Sequence, residues 1–253
     1  MKLPSPLIRG RLIRRYKRFL ADVLLDTGDT VTAHCANPGS MMGLIAEGSA
    51  VWLSRSTNPN RKLAYSWELL DLDDGKFRAR VGINTSLPNG LAAEAITAGC
   101  ITELAGYAGL RREVRYGTNS RVDLLLSDPA RGDCYVEIKN AHLARQPGLA
   151  EFPDSVTARG AKHLRDLTEV AARGARAVLL FIVQRDDCQA LSVADDIDPG
   201  YAAAFREAMA AGVECLVYDC RLSLTEIVIN QRLPFVDRPL ISARSELTHG
   251  AFA

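Results

Sequence analysis

The sequence lacks the features that mark membrane, secreted and zinc-binding proteins. It has no apolar run of about 18 residues or more, the length that a membrane-spanning helix requires. The N-terminal segment carries charges where a secretory signal needs an apolar stretch. The six cysteines include no Cys-x-x-Cys pair, and with only four histidines they form no zinc-ligand pattern. We therefore expect a cytoplasmic protein with free thiols and no membrane partner.

Signatures of nucleotide-dependent metabolic enzymes are also missing. The chain has neither the Gly-x-Gly-x-x-Gly fingerprint of a dinucleotide-binding fold nor a phosphate-binding loop. A sugar-metabolic enzyme or a sugar binder remains an alternative only because the chain has paired carboxylates, described below, and such pairs can act in a glycosidase. The lysine and the basic helix that accompany those carboxylates favour an anionic substrate instead.

The nearly zero net charge hides separated patches of opposite sign. The 31 basic and 30 acidic residues sum to +1, yet the first twenty residues hold seven basic side chains and no acid. An acidic segment at residues 186–200 compensates them. Nucleic acid responds to the local field, so the basic run predicts phosphate contacts, with a solvated face as the alternative. The candidates, on a surface helix or a strand edge, are Arg11, Arg14, Arg15, Lys17 and Arg18.

The first third of the chain has the pattern of short strands separated by turns. Apolar segments at residues 20–26, 31–36, 50–53 and 62–70 end in turn residues, and residues 77–83 alternate apolar and basic side chains. Closely spaced strands of this kind predict a small five-stranded OB-like barrel.

One turn in this region is a candidate cradle for a phosphate group. Asn37-Pro38-Gly39-Ser40 follows a predicted strand. Its backbone N–H groups, with the side chains of Asn37 and Ser40, could hold an anion. A plain turn that ends the strand is an equal alternative.

The pattern changes after a loop at residues 84–90, which is the best candidate for a domain boundary. Helical spacing at residues 91–108, 155–172 and 201–211 alternates with predicted strands. These strands are expected at residues 112–116, 121–126, 134–141, 177–183, 213–219 and 224–230. The order predicts an α/β domain around a mixed sheet. We divide the chain into an OB-like nucleic-acid-binding domain at 1–85, the α/β domain at 86–236 and a flexible tail at 237–253.

Two adjacent predicted strands carry two carboxylates and a lysine. Side chains two apart on a strand share a face, so Glu137 and Lys139 stand side by side. The turn at 128–133 folds Asp123 back towards Glu137. Two carboxylates suit Mg²⁺ or Mn²⁺, which would neutralise a phosphate and lower the pKa of a bound water. Lys139 would orient that water or stabilise the developing anion.

Helices before and after these strands carry further candidates. Glu94, on the preceding helix, would bind a second ion or orient a water, and the Ile138 carbonyl would join the metal ligands. The order Glu94, Asp123, Glu137, Lys139 matches the PD-(D/E)-x-K nuclease arrangement, with Val122 in place of the proline. The expected nucleic-acid contacts near this site are Arg121, Arg159, Lys162 and His163.

Longer motifs make the chain resemble the sugar fermentation stimulation protein family (SfsA) over residues 1–236. They include Arg18-Phe19-Leu20-Ala21-Asp22-Val23, His34-Cys35-Ala36-Asn37-Pro38-Gly39-Ser40-Met41, Ser120-Arg121-Val122-Asp123, Val136-Glu137-Ile138-Lys139-Asn140 and Phe152-Pro153-Asp154-Ser155-Val156-Thr157-Ala158-Arg159-Gly160-Ala161-Lys162-His163-Leu164. The sequence departs from the family at residues 36–38 and by its extra C-terminal tail.

The resemblance implies an N-terminal OB-like domain, a C-terminal restriction-endonuclease-like domain and binding of single- or double-stranded DNA with little sequence preference. Together with the residues above, it favours a Mg²⁺- or Mn²⁺-dependent nuclease that hydrolyses phosphodiester bonds. The alternative is a non-specific DNA-binding regulator of sugar (maltose) metabolism genes that keeps a nuclease fold without catalytic turnover. The sequence is also compatible with a homo-oligomer.

Overall fold

The first six strands form a sheet that closes on itself as a barrel. The computed structural model describes residues 1–116 and 120–237. Its first strands are β1 (Ile8–Tyr16), β2 (Leu20–Leu25), β3 (Thr30–His34), β4 (Ala50–Arg55), β5 (Tyr65–Asp73) and β6 (Arg78–Gly82). They pair in the order β3-β2-β1-β4-β5-β6, and a parallel pairing of β3 with β5 closes the first five. The predicted five-stranded OB-like barrel is confirmed.

Most of the basic N-terminal run forms strand β1, which lies inside the barrel sheet between β2 and β4, and Lys17 and Arg18 lie in the turn that follows it. The prediction of a surface helix or a strand edge is wrong. Alternation along β1 buries Leu12 in the barrel core and leaves Arg11 exposed. A register shift between Leu12 and Arg14 leaves Arg14 exposed as well. Gly10 is required on the inner face, because a Cβ there would lie 2.6 Å from Cγ1 of Val23. The strand therefore presents basic side chains on the outside of the barrel.

A second six-stranded sheet dominates the rest of the chain. The later strands are β7 (Gly109–Tyr116), β8 (Ser120–Asp128), β9 (Gly132–Ala141), β10 (Leu143–Gln146), β11 (Gly148–Phe152), β12 (Arg176–Val183), β13 (Cys188–Val193), β14 (Glu214–Leu222) and β15 (Ile227–Arg232). The helices are α1 (Pro88–Thr97), α2 (Ala158–Ala172) and α3 (Pro199–Ala210). The large sheet has the order β15-β14-β12-β9-β8-β7, and β10-β11-β13 form a small one.

The large sheet is mixed and is covered on both faces, as predicted. Strand β12 pairs in parallel with β9 and β14, whereas the outer pairs are antiparallel. Leu179 and Phe181 of β12 pack in one core with α2 and α3, and Val178 and Leu180 pack in another core with α1. Burial on both faces explains why β12 is a continuous apolar run.

Two expectations about elements differ from the structure. The helix predicted at 91–108 ends at Thr97, because Gly99 has a φ of 75° and its N–H bonds to the Ile96 carbonyl. Strands β10, β11 and β13 were not expected. Parallel neighbours β11 and β13 are distant in sequence and mostly buried, so neither shows the alternation that reveals a strand.

The N-terminal residues pack against the second unit. Lys2 forms a bridge with Glu226, and Leu3 joins the core beneath α1, although the sequence places both in the first domain. Of the predicted flexible tail, Asp237 pairs with Arg206 at 3.4 Å, and residues 238–253 lie outside the described residues. No helix in residues 1–116 and 120–237 has the length and apolar character needed to cross a bilayer.

Asp154 ties the barrel to the second unit. Its carboxylate accepts the Met41 N–H at 3.0 Å and lies 3.5 Å from Nε2 of His142, and its carbonyl accepts the Ser40 hydroxyl at 2.6 Å. Burial alone would raise the pKa of Asp154. The His142 imidazole and the Met41 N–H outweigh burial and hold this pKa at about 2.

We expect this contact to make the free energy of unfolding depend on pH. The pKa of Asp154 is lower in the folded than in the unfolded chain, so its stabilisation is complete above pH of about 4 and is lost as pH falls towards 2. Asp154→Asn should lower the free energy of unfolding by about 2 kcal/mol at pH 7. The urea-unfolding midpoint, measured from pH 7 to 2, should then fall less steeply with decreasing pH in the variant than in the wild type. An equal fall of the unfolding midpoint with decreasing pH in the wild type and the variant would contradict this assignment.

Candidate active site

Strands β8 and β9 separate at the position of the predicted site. Their antiparallel register ends at Leu124 opposite Val136. Beyond it, the Asp123 side chain accepts the Ile138 N–H at 2.7 Å. The Asp123 carboxylate thus takes the place of a backbone partner for β9, the strand that carries Glu137 and Lys139.

The Glu137 carboxylate is the buried centre of the site, with a side chain only 2% exposed. Its Oε1 accepts a hydrogen bond from Lys139 Nζ at 2.7 Å and contacts Nδ1 of His163. Its Oε2 has no hydrogen-bond partner in the described part of the chain. Because a buried carboxylate oxygen without a donor is costly, Oε2 is the oxygen free to bind a cation.

The pKa values of the two carboxyl groups shift in opposite directions from their usual values. Burial raises the pKa of Asp123, and the negative charge of Glu137 raises it further. Burial also acts to raise the pKa of Glu137, but the His163 hydrogen bond and the Lys139 charge lower it below the usual value. A cation placed between the two groups would therefore favour ionisation of Asp123 most.

Helix α1 contributes a residue to the site, but it is not Glu94. Asn89 donates from Nδ2 to Oδ1 of Asp123 at 2.8 Å and to Glu113 at 3.3 Å. Glu94 is exposed, and its carboxylate pairs with the amino group of Met1 at 3.1 Å. It shares no hydrogen bond or ion pair with Asp123 among the described contacts, so its placement in the site is corrected. Five residues along a helix place Glu94 and Asn89 on different faces.

The site opens into a cleft of about 500 Å³. Four predicted nucleic-acid contacts line it: Arg121, Arg159, Lys162 and His163. Arg159 donates from Nε to Nε2 of His163 at 3.3 Å, so the two share a helix face as expected. Lys162 binds Asp166 at 2.7 Å and contacts the Ser120 hydroxyl, which partly neutralises its charge. Arg121 and Arg159 are thus the freer cations of the cleft wall.

The turn at residues 37–40 does not have the form of a phosphate cradle. Asn37 is 1% exposed, and its Nδ2 donates to the Ile83 carbonyl at 3.2 Å. Its Oδ1 accepts the Gly39 N–H at 2.9 Å. The predicted phosphate contact by Asn37 is therefore corrected, because one end of its amide binds the barrel backbone at Ile83 and the other end holds the turn itself.

Some of the basic run is also occupied by structural contacts. Arg15 donates to the carbonyls of Asn37 at 2.8 Å and Gly39 at 3.0 Å, and the Ser40 hydroxyl is bound to Asp154. Arg15 and Ser40 are therefore held by the fold instead of facing a ligand, which corrects their predicted role. The other four predicted basic contacts are exposed and stay candidates for phosphate contact: Arg11, Arg14, Lys17 and Arg18.

The donor set fits a hard cation bound by few protein ligands. Within residues 1–116 and 120–237, no group of three or more His, Cys, Asp or Glu side chains is placed to hold a metal. Asp123 and Glu137 supply two carboxylates, and the unpartnered Oε2 supplies a free oxygen. Mg²⁺ commonly binds to one or two carboxylates and completes its shell with water and substrate phosphate. Two carboxylates are therefore sufficient.

The chain is similar to curated and solved proteins over most of its length. A family model described as "Sugar fermentation stimulation protein RE domain" matches residues 86–226, and one described as "SfsA N-terminal OB domain" matches residues 13–77. The sugar fermentation stimulation protein homolog of Rhodospirillum centenum is 58% identical over 92% of this chain and 98% of its own. That of Maricaulis maris is 55% identical over 91% and 97%. The structure of Pyrococcus furiosus SfsA in complex with Ca²⁺ aligns with a TM-score of 0.81 and 29% identity, covering 93% of this chain and 98% of that one.

Proposed function

Because the chain belongs to the sugar fermentation stimulation protein family, we propose from its site that it is a DNA-binding, metal-dependent nuclease. The observation that carries the proposal is the buried Glu137 carboxylate with an unpartnered Oε2, beside Asp123 and Lys139. A buried acid beside a lysine and a second acid is costly to maintain, and sites of this kind are candidates for function.

Asp123 and Glu137 would hold Mg²⁺ or Mn²⁺, with the Ile138 carbonyl as a further ligand. The solved relative is described as a complex with Ca²⁺, another cation that prefers oxygen ligands. Such an ion supplies charge neutralisation at the phosphate and a more acidic bound water.

The other residues of the cleft have roles that follow from their positions. Lys139, which lies 2.7 Å from Glu137, would orient the attacking water or stabilise the developing anion. His163 would fix the orientation of the Glu137 carboxylate that it contacts. Arg121 and Arg159 on the cleft wall would bind the phosphates that flank the scissile bond.

A cleavage assay tests this proposal. Supercoiled plasmid and labelled single-stranded DNA are incubated with Mg²⁺, Mn²⁺ or EDTA and with wild-type protein, Asp123→Ala or Lys139→Ala. We expect metal-dependent cutting by the wild type and a loss of at least about a hundredfold in each variant. Equal cutting by all three proteins would overturn the assignment, because it would come from a contaminating enzyme.

The second candidate function is a DNA-binding regulator of sugar (maltose) metabolism genes without turnover. It is supported by the exposed basic face of β1, which could bind phosphates with no chemistry. The intact set of Asp123, Glu137 and Lys139 favours catalysis over this candidate. DNA binding that persists in EDTA, with no cleavage under any metal, would favour the regulator.

A further inference from the structure

A second cleft lies on the barrel, and the proposed chemistry does not use it. Its volume is about 540 Å³, comparable to that of small-molecule sites. The residues that matter for its chemistry are His34, Arg55, Arg61, Ser66, Glu68 and Asn84. A recess of this size can admit one nucleotide but not a DNA duplex.

The inner wall of the cleft carries a buried carboxylate. Glu68 is 4% exposed, and its Oε1 accepts the Ser54 hydroxyl at 2.7 Å. Its Oε2 accepts from Nδ2 of Asn84 at 2.9 Å. A carboxylate can accept about four hydrogen bonds, so each oxygen keeps capacity for a donor from a ligand. The exocyclic amino groups of bases are donors of this kind.

The rim of the cleft is positively charged. Arg55 and Arg61 are exposed at its edge, and Arg61 is oriented by a hydrogen bond to the Ser66 hydroxyl at 2.7 Å. Guanidinium groups bind phosphate in two-pronged geometry. The cleft can therefore bind a ligand that places an anionic group at the rim and a hydrogen-bond donor at the wall.

An aromatic surface adjoins the rim. Phe19 stacks on His34, with ring centroids 6.4 Å apart and planes at 23°, and Phe19 is 44% exposed. His34 itself lines the cleft. Stacking on aromatic rings is the main way in which proteins bind unpaired bases without sequence preference. This contact is possible only for a base whose face is not covered in a duplex.

The cleft is close to the candidate active site along the chain. Asn84 lines it, whereas Asn89, five residues later, hydrogen-bonds Asp123. Five residues span at most about 18 Å even when fully extended. A nucleic-acid strand that enters the barrel cleft would therefore reach the carboxylates within a few nucleotides.

We propose that this barrel cleft is a subsite for one unpaired nucleotide of the nucleic-acid substrate. Its phosphate lies at Arg55 and Arg61, its base stacks on His34, and the amino donors of the base point to Glu68. The position of this subsite relative to the scissile phosphate rests on the proposed nuclease function. The substrate of that nuclease is then DNA with a single-stranded segment.

Fluorescence anisotropy in EDTA, where no metal-dependent cleavage occurs, tests this subsite. A labelled ten-nucleotide single strand and a hairpin duplex of equal charge are titrated with wild-type protein and with the double variant Arg55→Ala/Arg61→Ala. The matched control is Arg173→Ala/Arg221→Ala, which removes two exposed arginines outside both clefts. A third variant, His34→Ala, removes the stacking surface but no arginine.

We expect the cleft variant to bind the single strand about tenfold or more weakly and to bind the duplex with little change. The log–log salt slope of its single-strand binding should fall in magnitude by about 0.7 to 1.4. His34→Ala should lose roughly fivefold to a hundredfold for the single strand without a change of slope. Equal losses for strand and duplex, or losses as large in the control pair, would overturn the subsite. AMP competing as well as the oligonucleotide would also overturn it, since the cleft would then bind free nucleotides. A failed cleavage assay leaves these binding results unaffected.

Discussion

Replacing Lys139 with methionine should lower the rate of metal-dependent DNA cleavage by about 10²- to 10⁴-fold without weakening metal binding. Lys139 Nζ lies 2.7 Å from Oε1 of Glu137, and its side chain is only 13% exposed. Methionine keeps much of the length and apolar volume of the stem but removes the charge. The loss should appear in single-turnover cleavage, because the ammonium acts on the reacting water or anion.

The affinity for the metal separates this role from a structural one. Removing a cation 2.7 Å from a metal-binding carboxylate relieves repulsion, so Mn²⁺ should bind Lys139→Met at least as tightly as it binds the wild type. Mn²⁺ binding can be followed by electron paramagnetic resonance or by the rise in melting temperature. Asp123→Asn should instead lose the metal-induced rise, because it removes a ligand.

Lys162→Met is the matched control for Lys139→Met. Lys162 lines the same cleft, but Asp166 and Ser120 already bind its ammonium group. We expect its loss to change single-turnover cleavage by no more than about tenfold, since surface ion pairs of this kind contribute little. A loss in Lys162→Met equal to that in Lys139→Met would show that charge in the cleft matters and that the position of Lys139 does not.

The sequence predicted the relation of Asp123, Glu137 and Lys139 because strand geometry fixes it locally. Alternation with period two places Glu137 beside Lys139, and a short turn returns the chain to Asp123. The same sequence could not place Glu94 or Asn89. Which helix face meets the sheet depends on packing across the core, and either residue could have faced Asp123.

The roles of polar residues in the barrel were likewise beyond the sequence. Asn37 and Arg15 carry the residue types of a phosphate site, but the closure of the barrel brings carbonyls and N–H groups to both of them. Buried polar groups must find partners, and tertiary contacts decide which polar groups are buried. Glu68 shows the opposite case: it is a buried acid that lines a cleft, but no sequence pattern marked it as a candidate site residue.

Asp187→Ala should destabilise the folded protein by about 3–5 kcal/mol, because it leaves a buried guanidinium without its counter-charge. Arg185 is 1% exposed, and its Nε and Nη2 donate to the two oxygens of Asp187 at 2.5 and 2.7 Å. Arg185 also donates to the His142 carbonyl at 2.9 Å and lies over the ring of Phe77 in the barrel. The pair therefore sits at the junction of the two units.

The expected loss corresponds to a fall in melting temperature of about 6–20 °C. The control is Asp186→Ala, which removes the neighbouring aspartate and one hydrogen bond to the Arg80 N–H, and should cost about 1 kcal/mol. The double variant Arg185→Met/Asp187→Leu should recover most of the loss, because an apolar pair of similar volume can replace a buried ion pair. A double variant as unstable as Asp187→Ala would show that the junction depends on the shape of this pair and not on the balance of its charges.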